Sequence, residues 1–458
     1  MQLTKKTIII SLCSILFSCA IGKDYKRPEV AKIEAFKESK DWKIAKPKEN
    51  EIKSKWWEVY NDPELNKLEE QVEISNQNIK AAEAAYRQAR AVVSENRAAY
   101  FPSITGNAAT NRNAVANNVV NKYSVNLDAA WEIDVWGRIR RSVESSFALS
   151  KASQADLAAA KLSAQSELAI NYFSLKIADK QKFLLEDTVK NYQKSLQLNE
   201  NLYKSGVAPK SDLLQAKTQL ETAMAQSIDI DNTRAKLEHA IALLIGKAPA
   251  ELSLVVSDKI PEIPEIPLGL PSELLERRPD VAAAEQRMIS ANANIGVAKA
   301  AFFPKLELTG SGGYESSSFS NLIAFPNRIW SIGPNIAQTI FDAGLRRAQT
   351  KAAIASYDQT VANYRQSILN SFVEVEDNLA AIRILTAESK VQQSVVKDSS
   401  ETSKIFNNQY KAGIVSYLNV VTAQNTELSS KISELNTRKS LLTASVNLIK
   451  ALGGGWKL

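Results

Sequence analysis

The sequence predicts a mainly α-helical, tandem-duplicated chain that also supplies four β-strands to a transmembrane barrel closed by several copies. Three observations carry this reading. The run 138–203 contains no Pro and no Gly and stops before Gly206-Val207-Ala208-Pro209; as one helix it would be about 100 Å long. The stretch Tyr203-Lys204-Ser205-Gly206 returns as Tyr410-Lys411-Ala412-Gly413, and Gly246 as Gly453, both 207 positions later. Ala98-Ala99-Tyr100-Phe101-Pro102 returns as Ala300-Ala301-Phe302-Phe303-Pro304 after 202 positions, so the second copy carries five extra residues between Pro304 and Gly344. A unit of roughly 200 residues is far longer than a solenoid repeat, so each copy is a small domain. Finally, Tyr123, Val125, Leu127, Ala129, Trp131 and Ile133 alternate with Ser124, Asn126, Asp128, Ala130, Glu132 and Asp134, the period of a strand facing two environments.

The chain opens with Lys5-Lys6 before the apolar run Ile8 to Phe17, which is short for a membrane span and has the form of a secretory leader over 1–18. Leu16-Phe17-Ser18-Cys19 resembles a bacterial lipobox, which makes Cys19 the lipidated first residue of the mature chain, with palmitate-type acyl and diacylglycerol groups. Ala20 in place of Asp after that Cys implies sorting to the outer membrane. Cys13 leaves with the leader, so no disulfide framework is expected. Residues 19–61 are polar and Lys-rich, with Pro28 and Pro47, and read as an extended tether without its own core.

The first repeat spans 62–257. Asp62 is a good N-cap with Pro63 at the first helical position, so a helix starts there and runs to about Tyr100. A hairpin follows over 103–136, with an Asn-rich loop from Asn107 to Asn121 between a short strand near Ile104 and the long alternating strand. The long helix 138–203 shows a coiled-coil seam, because alternate steps of four and three from Leu157 meet an apolar or aromatic residue at ten of fourteen positions. Charged residues between them, Lys176 and Asp179 included, exclude a lipid-embedded span. A return helix covers 209–246. A linker, 258–271, places Pro261, Pro264 and Pro267 at every third position and reads as a stiff spacer. The second repeat, 272–458, has a helix, a hairpin over 305–343, a long helix 345–410 and a return helix 416–452. Leu306 to Tyr314 and Trp330 to Phe341 are its strands, with Gly310, Gly312 and Gly313 loosening the loop side and Pro334 predicting a bulge. Trp131 and Trp330 are candidates for a membrane interface.

Four strands cannot close a barrel, whose edges must all be paired in lipid. Two copies give eight strands, three give twelve and four give sixteen. Helices of the two lengths close on themselves, with the hairpin at one end and the Gly206 turn at the other. The expectation is a tube whose barrel lies in the outer membrane and whose helices project into the periplasm.

Glu276-Arg277-Arg278-Pro279-Asp280-Val281, Ala283-Ala284-Glu285 and the run Ala291 to Pro304 closely resemble the TolC-type outer-membrane factors of tripartite efflux pumps. So do Trp56-Trp57 with Asp62-Pro63, Trp131-Glu132-Ile133-Asp134-Val135-Trp136-Gly137-Arg138, and Tyr410 with Gly413, Ser416, Tyr417 and Leu418. The resemblance points to the lipoprotein branch serving resistance-nodulation-division pumps. It implies a homotrimer with a long coiled-coil α-barrel and a 12-stranded β-barrel shared by three chains. The implied function is passive conduction of drugs or other small toxic solutes, with a periplasmic adaptor and an inner-membrane transporter as partners; a type I secretion duct is the related alternative. In that family, helices converging at the turns 203–214 and 410–422 close the periplasmic end. Leu418 would then form an apolar ring. Thr422 and Asn425 stand where many relatives carry an acidic and a basic residue, and Asp212 is a candidate for the missing negative charge or simply for a helix cap. Gly206, Val207, Gly413 and Ile414 are the candidate tip contacts for the adaptor.

Other classes fit poorly. The net charge of +7 falls to +5 without Lys5 and Lys6 and forms no basic block, which argues against nucleic-acid binding. His239 is the only His, beside Glu238, and with three Met it makes no metal cage or catalytic set. No enzyme and no cofactor are expected, and the carboxylates read as solvated faces.

Overall fold

The computed structural model describes residues 20–29, 36–38, 55–115, 118–264 and 278–454. The expected leader 1–18, Cys19 and residues 265–271 of the linker lie outside them. The elements are helices α1 (Pro63–Ser75) and α2 (Gln77–Ala98), strands β1 (Ser103–Val115) and β2 (Asn118–Glu132), and helices α3 (Arg138–Lys204) and α4 (Lys210–Leu244). They are followed by α5 (Pro279–Ala300), β3 (Lys305–Ser316), β4 (Arg328–Ala337), α6 (Leu345–Lys411) and α7 (Tyr417–Ala451). The order repeats: α3 and α6 each have 67 residues, and α4 and α7 each have 35. By contact density the chain divides into two compact units.

The first unit comprises Met1–Val30, Ala84–Asp156 and Asp280–Ser367. Its strands form one antiparallel sheet in the order β1-β2-β3-β4. Partners in register share a face, which sorts the side chains. Ile104, Leu127, Trp131, Leu308, Trp330, Ile332 and Ile336 fall on one face; Asn107, Asn126, Asp128, Ser311, Ser331 and Asn335 fall on the other. On the polar face, Asp128 accepts hydrogen bonds from Asn107 (2.7 Å), Asn126 (2.7 Å) and Ser311 (2.6 Å).

Several sequence expectations are corrected here. The Asn-rich segment is strand, because β1 pairs with β2 without a break from Ser103↔Ala130 to Val115↔Asn118. Backbone pairing satisfies the ladder whatever the side chains, and it overrides the poor strand propensity of Asn. Gly310, Gly312 and Gly313, expected to loosen the loop side of their strand, are paired in unbroken register in β3. At Gly313 a Cβ would come within 2.2 Å of the Val125 carbonyl oxygen, so only Gly fits. Pro334 causes no bulge: it pairs with Leu308 in continuous register on β4, an outer strand of the sheet where a missing N–H is tolerated. That strand ends at Ala337, four residues short of Phe341. Trp131 and Trp330 lie at different levels, since Trp131 aligns with Pro334 through Leu308, and four residues of strand separate that level from Trp330, about 13 Å.

The segment 20–29 is extended but not a loose tether. Ile21 donates to the Trp136 carbonyl at 3.0 Å, and buried Arg141 reaches the Gly22 carbonyl and Asp24. Arg27 grips Glu285 with two hydrogen bonds, of 2.7 and 2.5 Å. Gly22, at φ +110°, passes so close to Gly296 that a Cβ would sit 3.0 Å from its Cα.

The second unit comprises Ala31–Glu83, Leu157–Pro279 and Ile368–Leu458. Trp56–Tyr60 forms a 3-10 turn with Trp56 and Trp57 fully buried. These residues therefore belong to the core, not to a tether. Tyr60 packs 4.7 Å from Phe173 and shares a 2.7 Å hydrogen bond with Ser445. Asp62 caps α1 by accepting from the Glu64 and Leu65 amides. The first helix does not run unbroken to Tyr100, because Asn76 adopts an extended ψ of 125°. Asn76 then starts α2 by accepting from the Asn78 and Ile79 amides, and its side chain donates to the Leu244 carbonyl at 2.7 Å.

The seam along α3 widens between Leu162 and Asp179, where Leu162, Gln165, Ala169, Phe173 and Ile177 are buried as well. Lys176 and Asp179 are also buried rather than wetted. Lys176 pairs with Glu64 at 2.7 Å, and Asp179 accepts from Arg234 at 2.7 Å and from the Ser257 amide at 3.1 Å. Glu69 on α1 is fully buried, and neither carboxylate oxygen meets a donor among the described residues. These groups correct the expectation that all carboxylates are solvated.

Candidate functional site

The site begins with two helix ends of the same design. At the end of α3, the Gly206 amide bonds the Tyr203 carbonyl and the Val207 amide bonds that of Leu202; at the end of α6, Gly413 bonds Tyr410 and Ile414 bonds Gln409. This pattern needs a left-handed residue after the helix, and Gly supplies it at φ +75° and +74°. Val207 and Ile414, the residues that follow, stand 72% and 70% exposed. The predicted tip residues therefore form two matched turns with an apolar side chain at each apex.

Beneath the turns, four helix ends pack together. Ala216, Tyr417 and Val420 are buried in one cluster, with Leu196, Phe406, Tyr410 and Val421 against them. Tyr410 and Tyr417 rings lie 5.1 Å apart, and the Tyr410 hydroxyl donates to Asn199 at 2.6 Å, tying α6 to α3. Gln219 donates to Gln424 at 3.0 Å, tying α4 to α7. Burial pushes both tyrosine hydroxyls up, and the charge of Asp212 adds to the shift.

Leu418, Thr422 and Asn425 are all exposed and recur at helical spacing along one face of α7. The Thr422 hydroxyl is spent on the Leu418 carbonyl, at 2.9 Å. Asn425 lines a crevice of about 370 Å³ with Leu214, Val421 and Tyr192. Asp212 is half-buried in the first turn of α4 and accepts from Ser211 at 3.3 Å. It is not the cap of that helix, since Pro209 holds the cap position without any side-chain bond. The sequence reading missed the Tyr410–Asn199 and Gln219–Gln424 ties. Their side chains sit at ordinary helical positions, and only the packing of four helix ends brings them together.

The model of the outer membrane efflux protein family matches residues 68–247 and 270–454. The chain belongs to this family. The toluene efflux pump outer membrane protein TtgC of Pseudomonas putida is 30% identical, over 99% of this chain and 96% of its own length. The cation efflux system protein CusC of Escherichia coli is 29% identical, over 96% of this chain and 97% of its own. Among solved structures, the outer-membrane channel OprN superposes with a TM-score of 0.90 at 31% identity, covering 96% of this chain and all of its own. Outer membrane efflux proteins are channels rather than enzymes, and their fold joins a duplicated helical part to a β portion, as here.

Proposed function

We propose that this chain is the outer-membrane duct of a tripartite efflux pump. It conducts drugs or other small toxic solutes passively, from an inner-membrane resistance-nodulation-division transporter through a periplasmic adaptor. The sheet carries this reading, with its apolar face, its polar face and the outer strands β1 and β4. In lipid every edge must pair, so β1 of one copy meets β4 of the next, and three copies close twelve strands. Such a barrel is wider than an eight-stranded one, whose interior side chains fill. Asn107, Asn126 and Asp128 then line water while Leu127, Trp330 and Ile332 meet lipid. Names of relatives that refer to toluene and cation efflux support small solutes as cargo. The lipid on Cys19 anchors the mature chain. The exposed face of Leu418, Thr422 and Asn425, with Asp212 nearby in the first turn of α4, forms the periplasmic gate, and Gly206, Val207, Gly413 and Ile414 meet the adaptor.

The test pairs mass with transport. Light scattering of the detergent-purified mature protein, with detergent subtracted, is expected to give a trimer, and deletion of the gene is expected to raise dye and antibiotic accumulation until the gene is restored. A compact monomer would overturn the barrel. A deletion strain with normal efflux that fails to export a type I substrate would replace the drug-pump reading with protein secretion.

A further inference from the structure

A second cavity, of about 500 Å³, opens between α3, α6 and α7. Its lining holds four ammonium groups, Lys194 of α3, Lys404 and Lys411 of α6 and Lys431 of α7, against the single carboxylate of Glu427. That carboxylate is already matched, because Lys431 lies 2.6 Å away one helical turn along α7. Lys194, Lys404 and Lys411 make no ion pair among the described residues. Three like charges around one crevice repel each other, and nothing in the lining compensates them. Ser403, buried, and Ser400, half-buried, direct their hydroxyls to Glu427 as well, so that carboxylate leaves the three remaining lysines uncompensated. Glu427 illustrates how the cavity treats an anion: burial alone would push its carboxyl up, yet Lys431, Ser403 and Ser400 hold it below the ordinary range.

We propose that this cavity binds a small oligoanion, whose phosphate or carboxylate oxygens engage Lys194, Lys404 and Lys411. Lys404 and Lys411 are two turns apart on one face of α6, about 10 Å along the axis. One phosphate cannot serve both well, whereas an anion with charges spread along its length can. The volume is that of a small-molecule site, and the flexible lysine stems adapt to a ligand without fixed geometry. By bridging α3 to α6 and α7, the ligand would hold together two helices that end at the exposed turns. This goes beyond the conduction reading and does not depend on it.

The test is calorimetric titration of the full-length protein in detergent with sodium tripolyphosphate and, separately, with citrate, at low and high salt. One site per chain is expected, weakened by salt. Lys194→Gln, Lys404→Gln and Lys411→Gln are each expected to weaken binding by about tenfold, the loss of one charged hydrogen bond. Lys404→Arg is expected to retain binding. Lys190→Gln and Lys397→Gln, exposed on the same helices outside the lining, are expected to change nothing. Preference for tripolyphosphate or for citrate identifies the ligand as phosphate-like or carboxylate-like, and either supports the site. Equal weakening by the control substitutions, no heat with either anion, or binding of a tetraglutamate peptide alone would overturn it; the last would make the cavity part of an acidic-peptide surface.

Discussion

Glu69→Leu is expected to stabilise the protein and to flatten its pH dependence. Glu69 is fully buried on α1, on the same helix as buried Leu65, Leu68 and Val72, and its two oxygens find no donor among the described residues. A buried polar group left unsatisfied costs about 1–3 kcal/mol, and a Leu of similar volume removes that cost while adding apolar contact. A gain of about 2 kcal/mol follows, which in a chain of this size raises the Tm by a few degrees. Burial pushes the Glu69 carboxyl well above its ordinary value, so the folded state holds the proton more tightly than the unfolded state does. Stability is therefore highest below the unfolded carboxylate range, falls as pH rises towards the raised folded value, and is level above it. The assay is thermal unfolding of the detergent-solubilised protein, followed by circular dichroism across a pH series at one scan rate, for wild type, Glu69→Leu and Glu69→Gln. Glu69→Gln should remove the Glu69 slope but keep part of the cost. A lower Tm for Glu69→Leu at every pH, or an unchanged slope, would refute the reasoning and mean that the carboxyl has a partner.

Three further outcomes are expected. Gly313→Ala places a Cβ within 2.2 Å of a backbone oxygen of β2, whereas nothing lies within 4 Å at Gly312; Gly313→Ala should sharply lower the yield of assembled protein on semi-native gels, and Gly312→Ala should not. Leu418→Gly removes an exposed apolar side chain from the proposed gate; single-channel conductance or antibiotic leakage should rise, and a conductance equal to the parent would remove Leu418 from it. Cys19→Ser should abolish incorporation of labelled fatty acid, and unchanged labelling would sink the lipid anchor.

Much of the fold is legible because its punctuation is chemical. Gly206 and Gly413 end the long helices where a left-handed residue is required, and the alternation from Tyr123 to Glu132 gives β2 directly. The repeated Tyr-Lys-x-Gly exposes the duplication. What stays hidden depends on partners distant in sequence. The Asn-rich arm of the first hairpin reads as a loop because its strand geometry is set by β2, not by its own side chains. Asn76 breaks a helix whose local sequence favours continuity, since it also serves the end of α4. Lys176 and Asp179 look like surface charges because periodicity reports one apolar stripe, whereas this part of α3 is packed on almost every side, and Glu69 is buried in the same way on α1. In the site, the tip glycines are readable, but the ties Tyr410–Asn199 and Gln219–Gln424 arise only from packing.

The grip on the chain's start alters what a lipid there can do. Ala20 lies so close to Gly137 that a Cβ on that glycine would come within 2.9 Å of it, and Ile21 is hydrogen-bonded to Trp136. Cys19 is one peptide bond away, about 3.8 Å between Cα atoms. Acyl chains attached at that distance have no leash to play out. Under the proposed lipidation of Cys19 they would act as a peg: membrane insertion would set the height and rotation at which the start of α3 is held, and the anchor would be a ruler for depth rather than a mooring line.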